Sequence, residues 1–150
     1  MTTVVRESAV VPAPLERVWE VISATNRYAE WVAVCREVTD HHGTATVGRT
    51  YSEVNTLLGP LTTRSTWTVR ELSPMTRRVD SGTGFPLVRD LTSAFLLTPV
   101  PEGTEVMYEV TYVFGLGTLG RVVDKLQQAG QRDAMRRSLD SLAELLRSEA

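Results

Sequence analysis

From Thr118 to about Ser148 the chain carries no proline and is dense in Leu, Arg, Gln and Glu, which predicts one long helix. At ~1.5 Å rise per residue this helix spans on the order of 45 Å, enough to cross a whole small sheet. Its apolar residues do not keep one phase. At about 100° per residue, Leu119, Val122, Val123 and Leu126 fall on one side, and Met135, Leu139, Leu142 and Leu146 fall roughly opposite. The switch comes at Gly130, a residue type that costs up to ~1 kcal/mol inside a helix. In a straight helix Arg121, Asp124, Gln128 and Gln131 continue the Met135 line, and the Leu119 stripe lies outward. Four such side chains left in water forgo on the order of 6–12 kcal/mol. The expectation is a bend near Gly130, making the first half of the helix a flap over a cavity mouth. A loop or a second subunit covering the stripe is the alternative.

The residues before this tail read as strands and turns. Val106, Tyr108, Val110, Tyr112 and Phe114 alternate with Glu105, Met107, Glu109, Thr111 and Val113, the pattern of an antiparallel strand with one buried face. Further strands are expected near 34–41, 48–57, 61–72, 76–82 and 88–98, joined by short Gly- and Pro-bearing turns such as "LLGPL", "GTGFPL" and "PVPEGT". A first strand, "TTVVRESAVV", ends at Pro12, which cannot donate to a ladder. Pro14 suits the first turn of a helix, and Leu15, Val18, Trp19 and Ile22 form its apolar stripe at i, i+3, i+4 and i+7. Thr25 or Asn26 can cap a second short helix, "NRYAEW", presenting Tyr28 and Trp31. "GLGTLG" at 115–120 lacks phosphate-loop spacing and a βαβ context, so it reads as a strand-to-helix hinge.

Composition removes several function classes. A 150-residue chain predicts a single domain over 1–150, and 16 basic against 18 acidic residues gives a net charge of −2, so no nucleic-acid partner is expected. Fifteen of the 16 basic residues are Arg, with Lys125 the exception, a skew that fits GC-rich codon usage. The N-terminus lacks a leader pattern and no apolar run reaches transmembrane length, which points to a cytoplasmic protein without stable membrane insertion. Cys35 is the only cysteine, so no intrachain disulfide forms, and it reads as a small buried hydrophobe. His41 and His42 are adjacent in a turn and point apart, a poor metal pair; no metal or cofactor is expected.

The order of elements is strand, two short helices, six-strand meander and long C-terminal helix. Together with "VVPAPLERVWEVI", "NRYAEW", "TVGRTY" and "LLTPVPEGTEVMYEVTY", this order resembles the START-like (SRPBCC) superfamily and, within it, the polyketide cyclase/dehydrase and lipid-transport group. The resemblance runs over essentially the whole chain. It implies an α+β helix-grip fold: a seven-stranded curved antiparallel sheet around the long C-terminal helix, with two short helices after the first strand. It also implies a cavity between sheet and helix for an apolar small molecule, in keeping with the concave, mostly apolar form of ligand sites.

Alternation nominates the cavity residues. If Tyr51 packs inward, Glu53 and Asn55 follow; if Trp67 and Val69 face in, so does Ser65; Phe95 and Leu97 carry Ser93 and Arg89 with them. Tyr108 and Tyr112 lie on the apolar face of the last strand, and Trp31 and Met135 complete the candidate lining. A buried carboxylate needs a partner, so Glu53 is expected to pair with Arg89 or a tyrosine. A one-residue slip of the third strand would instead leave Glu53 in solvent.

The leading expectation is a protein, monomeric or homodimeric, that holds a hydrophobic, aromatic or polyketide-like small molecule. A polyketide cyclase/aromatase or dehydratase using Tyr, Arg and Glu as acid and base is the alternative. A non-catalytic interaction module is the third reading. Cavity size and content separate the three: a deep pocket with an acid–base pair, a mostly apolar pocket, or a filled one.

Overall fold

The computed structural model describes residues 2–58, 60–115 and 117–150, with the side chains of 57, 58 and 118–120 left aside. The strands are β1 (Thr2–Val11), β2 (Cys35–Thr39), β3 (Thr50–Leu58), β4 (Leu61–Ser73), β5 (Arg77–Thr83), β6 (Val88–Val100) and β7 (Gly103–Phe114). Helix α1 is Leu15–Ser23, a short 3-10 helix follows at Thr25–Glu30, and α2 is Gly117–Ser148. The strands form one antiparallel sheet in the order β1-β7-β6-β5-β4-β3-β2. Consecutive hairpins therefore build a meander from β2 to β7, and β1 closes its far edge against β7. This is the expected curved-sheet, helix-grip α+β architecture. The reversal expected at Gly59 and the outward position expected for Leu119 lie outside the described residues.

Alternation does the sorting. Along β7, Val106, Tyr108, Val110 and Tyr112 are buried on the concave face, as the period of two requires. The second half of α2 packs there through Met135, Leu139, Leu142 and Leu146, all essentially solvent-free. On α1, Val18, Trp19 and Ile22 join the same core, with Leu15 half-buried against it. Ser138 of α2 accepts a hydrogen bond from the Ala33 backbone N–H (2.8 Å), which ties the segment after the 3-10 helix to α2.

The first half of α2 departs from expectation. The α-helix is unbroken across Gly130, and Val122 and Leu126 are 67% and 74% exposed, so no bend brings the apolar stripe inward. A Cβ at position 130 would meet no atom within 4 Å, so no crossing element forces a bend there. Polar contacts dock this half instead. Asp124 accepts hydrogen bonds from Tyr112 Oη (2.7 Å), Thr3 Oγ1 (2.9 Å) and Gln128 Nε2 (3.0 Å). Arg132 donates to the Arg6 carbonyl (3.2 Å), and Arg136 pairs with Glu7. Of the residues that continue the Met135 line in a straight helix, Asp124 thus meets β1 and β7, with Gln128 bonded to it, while Arg121 is exposed.

Candidate functional site

The inward face of β3 presents Tyr51, Glu53 and Asn55, and that of β4 presents Ser65, Trp67 and Val69; all six are buried. Antiparallel register sets Tyr51 opposite Trp67 and Glu53 opposite Ser65. A chain of hydrogen bonds then runs in one direction. Trp67 Nε1–H donates to Ser65 Oγ (2.9 Å), Ser65 Oγ–H donates to Asn55 Oδ1 (2.6 Å), and Asn55 Nδ2–H donates to Glu53 Oε1 (2.8 Å). The chain fixes the amide orientation of Asn55 and ends on the carboxyl of Glu53.

Tyr51, Glu53, Asn55 and Trp67 border a cavity of about 40 Å³. Tyr28, Val32 and Val34 form one wall, Phe95, Ser93 and Tyr108 another, and Phe85 lies at the side of the β5–β6 turn. The aromatic packing is tight: Phe95 and Tyr108 have ring centroids 4.4 Å apart, and Trp67 meets Phe85 edge to face at 6.4 Å. Trp67 can lie across β5 because its register partner there is Gly82. Ligand pockets commonly measure about 300–1,000 Å³, so this cavity holds a few water-sized groups and no fused ring system.

Glu53 is the one carboxyl among the residues that line the cavity. It is 4% exposed, and burial pushes its carboxyl up to about 7, although the Asn55 hydrogen bond favours the ionised form. Burial likewise raises Tyr108 and the Cys35 thiol, and the Glu53 charge adds to both shifts. A carboxyl that is half ionised near neutrality can donate or accept a proton in a water-poor cavity.

Beside the cavity lies a buried ion pair not anticipated from the sequence. Arg78 is fully buried and reaches Asp80 with Nε (3.0 Å) and Nη2 (2.8 Å), Ile22 O with Nη1 (2.8 Å) and Thr25 Oγ1 with Nη2 (3.0 Å). Tyr51 Oη–H donates to the same Asp80 carboxylate. The guanidinium also sits 4.7 Å from the Tyr28 ring centroid, a cation–π distance. This cluster joins β5 to α1 and the 3-10 helix. Its signal in the sequence was the period-two run Arg78, Asp80, Gly82.

Of the candidate lining, Tyr51, Glu53, Asn55, Trp67, Phe95 and Tyr108 surround the cavity, and Trp31, Arg89, Tyr112 and Met135 lie elsewhere. Arg89 is exposed and does not pair with Glu53, because β6 has a bulge between Arg89 and Thr92 and Asp90 adopts φ 52°. The bulge breaks the alternation one step before it reaches Arg89. Trp31 is buried core against Tyr28 and Phe95, with Nε1 unpaired among the described residues. Tyr112 turns its hydroxyl to Asp124. Met135 packs in the core, and among the described residues none of α2 lines the cavity; the segment around Tyr28, Val32 and Val34 closes it instead. Phe85, Val32 and Val34 were not anticipated, since they sit in turns where no periodicity marks a facing.

Among the described residues no group of three His, Cys, Asp or Glu side chains could hold a metal ion, and no helix is long and apolar enough to cross a membrane. No curated protein matches the chain. Solved structures do. The protein TTHA0849 from Thermus thermophilus superposes with a TM-score of 0.82 at 19% identity, covering 99% of both chains. CV1439 from Chromobacterium violaceum gives 0.76 at 20% identity, over 95% of this chain and 96% of its own. The Zhui aromatase/cyclase from Streptomyces sp. R1128 gives 0.79 at 13% identity, over 96% and 93%. At these identities the likeness establishes the fold. Residues 2–147 match the family described as polyketide cyclase/dehydrase and lipid transport, and the chain belongs to that family.

Proposed function

We propose that the chain, as one unit over 1–150, binds a hydrophobic, partly aromatic small molecule at the cavity on the concave face of the sheet. One observation carries this reading: Glu53, a carboxyl almost wholly removed from water, borders a cavity lined mainly by aromatic and aliphatic side chains. Burying such a group costs free energy that packing alone does not return, which makes a ligand-directed role the simplest account. The cavity of about 40 Å³ is too small for the whole ligand, so in this reading the structure is the closed form. Opening requires displacement of Phe85 and Trp67. Gly84, next to Phe85, sits at φ 111°, a conformation other residues adopt only with strain, and lies against the β4 backbone. A titration with the neutral dye Nile red tests the reading. Saturable binding that weakens in Trp67→Ala supports it; no binding, or equal binding by the variant, refutes it.

A second reading is favoured by the Glu53 carboxyl standing near 7 beside Tyr108 and Ser93. In this reading Glu53 moves protons on a carbonyl substrate, as in a cyclisation or dehydration of a polyketone. Turnover of a poly-β-ketone, lost in Glu53→Gln with binding retained, would select it over a carrier.

A further inference from the structure

We propose that the ligand presents a protonated amine to Glu53, so that the site selects small organic cations with an apolar body. This inference rests on the cavity being the binding site. The argument begins with the charge inventory. Glu53 has no cationic partner among the described residues. The nearest buried cation, Arg78, is already engaged: Asp80 neutralises it with two bonds, and Ile22 O and Thr25 Oγ1 take two more of its donors. Arg89 is in solvent. The cavity is therefore built around an acid without a counterion.

The neighbours of Glu53 sharpen the choice. The Trp67–Ser65–Asn55 chain of donors runs towards the carboxyl, so Asn55 Oδ1 is occupied and one Asn55 N–H serves Glu53 Oε1. Besides Asn55 the carboxyl meets only the Cys35 thiol, a weak donor, so it still lacks strong donors; an ammonium supplies several, whereas a ketone supplies none. Most of the remaining wall is aromatic, from Tyr28, Trp67, Phe85, Phe95 and Tyr108, with Val32, Val34 and Ser93 between them. Aromatic quadrupoles favour a cation in their midst and disfavour a bare anion. The cavity of about 40 Å³ admits an amine head group while the apolar body lies towards Phe85 at the rim.

A cation at Glu53 favours its ionised form, so binding expels a proton whenever the carboxyl starts protonated. The groups facing Glu53 do not mask this. Tyr28 and Tyr51, Cys35 on β2 and Tyr108 on β7 are all pushed upward and stay neutral near pH 7. Arg78 and Asp80 remain a neutralised pair. Amine affinity should therefore rise with pH through the neutral range, while neutral ligands show no such rise.

Calorimetric titration of the full chain with phenethylamine, phenethyl alcohol and acetophenone tests the proposal, with Nile red as a charge-neutral control. The expected result at pH 8 is an amine affinity about ten-fold or more above either neutral probe. That preference should shrink at pH 6, release protons measurable by changing the buffer, and vanish in Glu53→Gln. If Glu53→Gln does not fold, the pH dependence and proton release of the unaltered chain still decide. Equal or tighter binding of the alcohol or ketone overturns the amine assignment, as does a preference indifferent to pH. Nile red binding without amine binding also overturns it and leaves the cavity reading standing. Failure of every probe, Nile red included, overturns both.

Discussion

The indole of Trp67 lies so close over Gly82 that a Cβ at position 82 would stand 2.7 Å from Trp67 Cε3. No side chain fits that gap, so the glycine sets the position of the ring, and the ring starts the hydrogen-bond chain that ends at Glu53. Gly82→Ala should push the indole off its seat and break the Trp67–Ser65 bond. The expected cost is about 1–3 kcal/mol from overpacking. A chemical-denaturation curve and a shift of tryptophan emission check this; unchanged stability and emission would contradict it.

Glu53 should make stability depend on pH. Its carboxyl stands near 7 in the folded chain against an ordinary value of 4.5, so between these values the folded state binds more protons than the unfolded state. The sign follows: this contribution is fully present below about 4.5 and is lost as pH rises through about 7. Its size is on the order of 3 kcal/mol. Relative to the unaltered chain, Glu53→Gln should gain that stability at pH 8 and little at pH 4. Parallel stability profiles for the two proteins would contradict the assignment.

The Arg78–Asp80 pair should behave as a structural anchor. Asp80→Ala leaves a fully buried guanidinium without its counterion and removes the acceptor of Tyr51 Oη. A loss of about 3–5 kcal/mol is expected. Urea denaturation measures it, and a loss below about 1 kcal/mol, the range of a surface pair, would contradict the account.

Gly130 offers a test of the unbroken helix. Its surroundings are open, so Gly130→Ala should stabilise the chain by up to ~1 kcal/mol through helix propensity. Slower ligand exchange without added stability would instead restore the hinge that the sequence suggested.

Much of the fold was legible because period and breakers are local signals. Pro12 and Pro14 mark the end of β1 and the start of α1, and the alternation at 105–114 identifies β7 and its buried face. The burial of Glu53 and Asn55 followed from the facing of Tyr51, once the register held. Two kinds of feature escaped. Bulges are set by tertiary pairing, so the Arg89–Thr92 irregularity that turns Arg89 outward left no pattern in the residue types. The docking of the first half of α2 depends on two donors brought to Asp124 from other elements, Thr3 of β1 and Tyr112 of β7, and hydrophobic phase cannot register a polar interface. The bend expected at Gly130 failed for that reason.

The central claim is that ligand enters the cavity beside Glu53 and Trp67. Its most direct test is the indole N–H spectrum of the three tryptophans during titration with Nile red. Trp67 Nε1–H bonds to Ser65 inside the site, whereas Trp19 lies on α1 outside the cavity lining. The account predicts a saturable shift of the Trp67 resonance with Trp19 unmoved. A saturable binding event that leaves Trp67 unshifted would contradict it.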